Sequence, residues 1–221
     1  FEMETGECST FSYWTDEEAW ISFIMLQSGH GTTVKNYELI KKEYERELTM
    51  PVWDGEPAYE AMPTCWPITG EACFHKADIV RKRAYWSLLA GAFGYTYGHC
   101  NVWCSISEQE RNFISKTDWF ESLSSEGSKQ IKYMHAAIES LQLYNSQPCQ
   151  EILEEQQRKE DTLEEHVQAA ITQNGTNICI YFQKAGEETL DVDKFSEGQE
   201  EYFGWWYNPQ NGKFYTTEME E

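Results

Sequence analysis

The strongest sign of chemistry in the sequence is a stretch of ten residues, 51–60, that reads PVWDGEPAYE. Residues 51–53 predict the start of a short buried strand, and Asp54 with Gly55 predicts a turn directly after it. Glu56 comes next, and Pro57 behind it biases Glu56 towards an extended backbone conformation. A carboxylate therefore lies where a strand ends, which is where α/β enzymes keep their catalytic groups. The alternative is a loop carboxylate that only accepts hydrogen bonds within a turn.

The elements around this stretch repeat a strand–helix order. Continuous apolar runs such as WISFIML are typical of buried parallel strands, and helical spacing of apolar residues follows each run. We predict a parallel sheet or barrel, although three units are too few to close a barrel of eight strands, which needs about 200 residues or more. The predicted elements are a helix at 16–20, a strand at 20–26, a helix at 34–47, a strand at 51–53, a helix at 76–92, a strand at 95–99 and a helix at 129–143.

The composition changes after residue 145. Residues 150–165 are rich in charge and predict a linker or a solvated helix. The short alternating runs VQAAIT, NICIYFQK, TLDVDKF, FGWWYN and KFYTT then follow, separated by turn signals, and predict a small β-sandwich. We expect Trp205, Trp206 and Tyr207 to belong to its core rather than to a sugar-binding platform. The predicted domains are 1–148, a linker or helix at 149–166, and 167–221, and we expect a truncated carboxyl end in the last of these.

Composition narrows the classes of function. With 40% apolar and 15% aromatic residues in 221, the chain is too aromatic for disorder and long enough to bury a core. A net charge of −21 argues against nucleic acid or an anionic membrane as a partner, and it suits a neutral ligand. Aromatic residues on an acidic protein are common among carbohydrate-active proteins. No apolar run is long enough to span a bilayer.

The amino terminus and the cysteines add further expectations. FEMETGECSTF has no initiator Met, basic region or apolar stretch, so it is not a signal peptide, and we expect the chain to begin inside a longer protein. None of the seven cysteines forms a CxxC pair, so no structural zinc site is predicted, and no metal or cofactor is expected. Disulfides stay open, with Cys65–Cys73 among the possible pairs.

Several segments resemble the apiosidase-like glycoside hydrolases, in particular glycoside hydrolase family 140. WISFIMLQSGH looks like the sixth barrel strand of that family, PVWDGEPAYE like the seventh, and RKRAYWSLLAGAFGYTYGHCNVW like the helix and strand that complete the barrel. GWWYNPQNGKF is similar to the Trp-Tyr-Asp-Pro-Arg-Thr-Gly segment of the family's β-sandwich, with Asn208, Gln210 and Asn211 replacing Asp, Arg and Thr. The resemblance runs from about residue 11 to about residue 217.

The resemblance implies the carboxyl-terminal part of a (β/α)8 TIM barrel, about strands six to eight, followed by a β-sandwich that the family labels collagen-binding. It implies that Glu56 is the nucleophile or base, and that the acid is a carboxylate on the fourth strand. Glycoside hydrolysis uses two carboxyl groups, one on each side of the bond. Because the fourth strand has no counterpart here, we expect the chain alone to be inactive. The missing amino-terminal half of the barrel is then the partner of this chain.

Polar residues at the three strand ends are expected to surround Glu56. Hydrogen bonds to sugar hydroxyls and stacking of a sugar ring on Trp103 are the expected contacts, while the alternative for His30 and His99 is a loop histidine bonded to backbone. Arg81 is expected to pair with Asp54 or Glu60, or to be an exposed helix charge. The predicted substrate-binding residues are Gln27, His30, Tyr97, His99 and Trp103, and the predicted supporting residues are Tyr59, Glu60 and Arg81.

The expected function is hydrolysis of glycosidic bonds in the side chains of plant or other polysaccharides, by an extracellular or periplasmic parent protein. The alternative is a non-catalytic carbohydrate- or matrix-binding protein that retains the fold. Collagen binding rests on the family label alone. A half barrel exposes an edge strand and an apolar face, so we expect the isolated chain to be poorly soluble or oligomeric.

Overall fold

A computed structural model of the chain describes residues 8–15, 17–64, 68–111, 116–154, 162–192 and 202–216. The chain divides into two units, Phe1–Ile131 and Lys132–Glu221. The first unit contains β1 (Cys8–Ser9), β2 (Ile24–Gln27), α1 (Asn36–Tyr44), β3 (Val52–Asp54), α2 (Ala77–Leu89), β4 (Ala92–Tyr95), α3 (Cys100–Trp103), α4 (Trp119–Ser122) and the start of α5 (Glu126–Ser140). The second contains the rest of α5 and the strands β5 (Ser146–Pro148), β6 (Val167–Thr172), β7 (Ile178–Phe182), β8 (Trp205–Asn208) and β9 (Lys213–Thr216).

The first unit is built on a four-stranded sheet with the order β1-β2-β3-β4. β2, β3 and β4 are parallel, whereas β1 is antiparallel to β2. Parallel neighbours need a crossover connection, and α1 and α2 supply the two crossovers. The predicted parallel strand–helix units are therefore confirmed. Their consequence is that the carboxyl ends of β2, β3 and β4 share one edge of the sheet.

The two faces of this sheet differ in burial because side chains alternate along each strand. Ile24, Leu26 and Val52 are buried, as are Ile40 of α1 and Trp86 of α2. The opposite face carries Phe23, Met25, Trp53 and Phe93, and we call these four residues the open face. The ring of Phe23 lies 5.8 Å from that of Trp53 and 6.3 Å from that of Phe93, and Phe93 is 61% exposed. The first unit thus presents an aromatic surface opposite its helix-covered face.

Two predictions about the ends of elements are wrong. Residues 17–20 form turns rather than a helix, and β2 begins only at Ile24; Asp16 lies outside the described residues. The third parallel strand is Ala92–Tyr95 instead of 95–99, because α2 ends at Leu89 and the chain enters the sheet almost at once. Residues 96–99 consequently belong to the loop that leaves the sheet, where the amide of Thr96 donates to Asp54 at the end of β3.

The second unit consists of antiparallel strands, as the alternating runs predict. β5, β6 and β7 form one sheet, and β8 pairs with β9 in a separate hairpin. Its core is the cluster of Cys149, Ile152, Leu153, Val167, Ala169 and Ile171. The prediction that Trp205 and Trp206 are core residues is wrong, since both are more than half exposed on β8. Residues 155–161 and 193–195, which include parts of the predicted linker and of TLDVDKF, lie outside the described residues.

Two further expectations concern membranes and cysteines. No helix within the described ranges is long and apolar enough to cross a membrane. Cys8, Cys100, Cys104, Cys149 and Cys179 are free thiols, whereas Cys73 is disulfide-bonded. Cys65, the predicted candidate partner of Cys73, lies outside the described residues.

Candidate functional site

The backbone after β3 is joined to the loop after β2, and this arrangement positions Glu56. The amides of Gly55 and Glu56 both donate to the carbonyl oxygen of Leu26, at 2.9 and 3.3 Å. The amide of Gly29 donates in turn to the carbonyl oxygen of Glu56 at 3.0 Å. Glu56 is therefore held by backbone contacts on both sides of its own residue, at the shared carboxyl edge of the sheet.

The Glu56 carboxylate uses its two oxygens differently. Oε1 accepts a hydrogen bond from Nε2 of Gln27 at 2.8 Å and lies 3.8 Å from Nε2 of His30. No donor from the part of the chain that the structure describes reaches Oε2, and the side chain is 36% exposed. One oxygen is thus fixed while the other is accessible, an arrangement that a carboxylate acting as nucleophile or base requires.

The proton position on His30 follows from its surroundings. Nδ1 accepts from the backbone amide of Tyr59 at 3.3 Å, so a neutral ring must carry its proton on Nε2, the atom that faces Glu56. Burial lowers the pKa of His30 and so favours the neutral ring. The Tyr59 ring packs edge-on against His30, with centroids 4.7 Å apart. Tyr59 therefore contacts His30 through both its backbone amide and its ring.

His75 is a residue of this site that the sequence did not reveal. It is buried, and its Nε2 donates to the carbonyl oxygen of His30 at 2.7 Å. Burial lowers the pKa of His75 to about 4, so it is neutral at pH 7. His75 lies in an irregular segment with no periodicity, so no pattern in the sequence could have found it.

Glu60 lies in a separate, saturated environment. Both of its oxygens accept from the backbone amide of Gly127 at 3.1 Å, and Oε2 accepts from the Tyr97 hydroxyl at 2.6 Å. Gly127 is the second residue of α5, and the amino terminus of a helix favours a carboxylate. Burial and the bond to Glu60 raise the pKa of Tyr97, which remains a phenol and a donor. Glu60 and Tyr97 thus bond to each other, not to Glu56.

The remaining predicted residues have other partners than Glu56. His99 is buried, and burial lowers its pKa. Its Nδ1 accepts a hydrogen bond from the amide of Asn101 at 3.1 Å, so the His99 side chain caps the start of α3. Trp103 at the end of α3 is 69% exposed, so its ring is accessible. Arg81 is buried and donates to Gln130. Its predicted alternative as an exposed helix charge is wrong, and its hydrogen bond goes to Gln130 instead of Asp54 or Glu60.

The site contains no cluster of metal ligands among the described residues: no group of three or more His, Cys, Asp or Glu could hold an ion there. Glu56, Gln27 and His30 supply a carboxylate, an amide and a neutral imidazole to the site.

Comparison with solved structures defines the class of fold. A glycoside hydrolase structure superposes with a TM-score of 0.78 and 24% identity, covering 95% of this chain and 49% of the other. A glycoside hydrolase family 5 protein from Bacteroides vulgatus ATCC 8482 gives a TM-score of 0.77 and 23% identity, covering 96% and 48%. The chain thus has the fold of part of a glycoside hydrolase and spans about half the length of these structures. No curated protein matches the chain.

The family follows from the sequence itself. The model of the apiosidase-like catalytic domain matches residues 3–145. The chain belongs to the apiosidase-like family, and the resemblance seen in the sequence is confirmed at this level.

Proposed function

We propose that the protein is a glycoside hydrolase to which this chain contributes Glu56 as nucleophile or base. The observation that carries the proposal is the asymmetry of the Glu56 carboxylate: Oε1 accepts from Gln27 and faces Nε2–H of His30, while Oε2 is accessible. The hydrogen bond from the neutral amide of Gln27 orients the carboxylate without neutralising its charge, and the His30 ring 3.8 Å away is also neutral. Oε2 can therefore attack a sugar carbon or deprotonate a water molecule.

We further propose that the first unit is the carboxyl-terminal part of a (β/α)8 TIM barrel, as in family 140, whose other strands and acid carboxylate come from outside these 221 residues. Two observations support this: the similar structures are about twice as long, and the open face exposes Phe23, Met25 and Phe93. The inner face of a closed barrel is covered by side chains from the other strands. The amino-terminal half of the barrel is then the partner of the open face.

The proposed substrate is a neutral glycoside, with an apiosyl side chain of a plant polysaccharide as the first candidate because of the family. The net charge of −21 disfavours anionic sugars. Trp103 is the proposed stacking surface for a sugar ring, and Gln27 and His99 are proposed to contact hydroxyl groups. Such substrates imply an extracellular or periplasmic protein. The second unit is proposed to be an accessory β-sandwich, for which collagen binding rests only on the family label.

An activated substrate can show which catalytic group this chain supplies and which one the missing half of the barrel supplies. A glycoside with a good leaving group, such as a 2,4-dinitrophenyl apioside, needs no general acid, whereas a natural glycoside does. We expect the isolated chain to be inactive on the natural glycoside, because it lacks the acid. Slow release of dinitrophenolate from the activated substrate is the one exception we expect, because this step needs only Glu56. A longer form of the protein that includes the preceding strands should cleave both.

The control is the Glu56→Gln variant of both the isolated chain and the longer form. Loss of both activities on this substitution supports the proposal. A longer form that binds the sugar but cleaves neither substrate would contradict it and favour the non-catalytic carbohydrate-binding alternative.

A further inference from the structure

A buried carboxyl group lies two residues before Glu56 in the chain. Asp54, the last residue of β3, has no exposed surface. Its Oδ2 accepts from the hydroxyls of Ser28 at 3.0 Å and Ser87 at 2.6 Å, and from Nδ2 of Asn36 at 3.3 Å. Its Oδ1 is buried and has no hydrogen-bond partner within the described ranges. Leaving such an atom unpaired costs about 1–3 kcal/mol, so Asp54 does not serve stability alone.

Arg83 supplies a second buried charge in the same place. It is 1% exposed, and its guanidinium donates to the carbonyl oxygens of Val34 and of Gly31, the latter at 2.9 Å. It also donates to Oδ1 of Asn36 at 3.3 Å, the residue whose Nδ2 bonds to Asp54. Burial raises the pKa of Asp54 and lowers the pKa of Arg83 to about 10, which expresses the cost of keeping two charges out of water.

The contacts of Asp54 and Arg83 converge on one loop. Ser28, Gly31 and Val34 all lie in the loop after β2, residues 28–34, which also carries His30. Asp54 holds the start of this loop through Ser28, and Arg83 holds its middle and end through two carbonyl oxygens. Gln27 immediately precedes the loop. The loop is therefore attached to β3 and α2 on both sides of the residue that faces Glu56.

We propose that Asp54 and Arg83 are positioning residues for Glu56, because they fix the loop 28–34 so that Gln27 and His30 meet Oε1 of Glu56. This inference rests on the proposed role of Glu56. Well-packed apolar residues in place of the two buried charges would be as stable or more stable. A displacement of about 1 Å at a reacting group, in contrast, costs about 100-fold in rate. The two buried charges thus lower the stability of the fold but fix the position of the loop.

Two serines give a matched pair of variants. Ser28→Ala and Ser87→Ala each remove one hydroxyl donor from the same oxygen of Asp54, but only Ser28 lies on the loop, and Ser87 lies on α2. Both should fold, whereas Asp54→Asn carries a greater risk of failing to fold. The measurements are kcat and KM of the longer form on its glycoside, and the 15N spectrum of His30, assigned by comparison with His30→Gln.

Ser28→Ala is expected to lower kcat about tenfold with KM within about twofold, and to increase the share of the Nδ1–H tautomer of His30. Ser87→Ala is expected to keep kcat within about twofold and the wild-type His30 spectrum, with a loss of thermal stability only. Equal effects of the two variants on His30, or no effect of either, would overturn the inference.

The tautomer measurement needs no substrate, so it separates the two proposals. If no form of the protein cleaves a glycoside, the proposed function fails, and the His30 spectra of the two serine variants still decide whether Asp54 fixes the loop.

Discussion

Protonation of His75 is expected to destabilise the fold as the pH falls. The imidazole is 4% exposed and donates to the carbonyl oxygen of His30 at 2.7 Å. Burial is the largest cause that lowers the pKa of His75 from 6.5 to about 4, and the nearby positive charge of Arg83 adds to it. Between these pH values the unfolded chain binds a proton that the folded chain does not. The free energy of unfolding must therefore decrease as the pH falls through this window.

The magnitude follows from the two pKa values. The full difference between 6.5 and about 4 is worth about 3 kcal/mol once the pH is below both. At pH 5.5 the loss relative to pH 7.5 is about 1.4 kcal/mol. This pH is one unit above the isoelectric point of about 4.5, where precipitation would complicate the measurement.

Urea unfolding at pH 7.5 and pH 5.5 measures this loss. His75→Gln keeps an amide that can donate to the carbonyl oxygen of His30 but cannot be protonated, so it should show about 1.4 kcal/mol less loss than the wild type. His135→Gln, at an exposed position of α5, is the control and should lose as much as the wild type. Part of the loss remains in His75→Gln, because burial also lowers the pKa of His30 and His99. An unchanged pH dependence in His75→Gln would refute the reasoning.

Three further outcomes are expected. Gly127→Ala places a Cβ 2.5 Å from Oε2 of Glu60, so it should reduce the free energy of unfolding in urea by about 1–3 kcal/mol. The control is Gly186→Ala, whose Cβ meets no atom within 4 Å, and it should change this free energy by less than about 0.5 kcal/mol. Tyr97→Phe removes the hydroxyl that donates to Glu60 and should cost about 1–3 kcal/mol by the same assay, and a neutral result would show that water replaces it. The isolated chain should elute as an oligomer or aggregate in size-exclusion chromatography, less so as Phe93→Ser; a monodisperse monomer that melts cooperatively would contradict this expectation.

The sequence predicts the parallel strand–helix order and the position of Glu56 well, because both depend on local patterns. The run WISFIML and the helical spacing after it indicate a buried parallel strand and its crossover. The order Gly55-Glu56-Pro57 marks the point where the strand ends. The sequence predicts the third strand too late in the chain, because the aromatic residues 95–99 favour a strand more strongly than Ala92 and Phe93 do. In the structure the turn after α2 is short, so the strand already begins at Ala92.

The buried polar residues could not be predicted in the same way. Arg83 is one of four basic residues between 76 and 83, and only its place against the loop 28–34 separates it from its neighbours. Arg side chains are almost never fully buried and Asn side chains are mostly exposed, so the sequence pattern favours the surface for Arg83 and Asn36. Trp205 and Trp206 show the opposite error, since a hairpin of two strands offers few neighbours to cover its aromatic side chains.

The measurement that tests the central claim most directly is hydrolysis of a natural apioside by the longer form of the protein, with Glu56→Gln compared with Glu71→Gln. Glu71 is an exposed carboxylate in the same unit that pairs only with Lys116 among the described salt bridges. Glu56→Gln should lower kcat by about 1,000-fold or more at an unchanged melting temperature, because it removes the reacting carboxylate. Glu71→Gln should match the wild type. If Glu56→Gln retains most of the activity, Glu56 is neither nucleophile nor base.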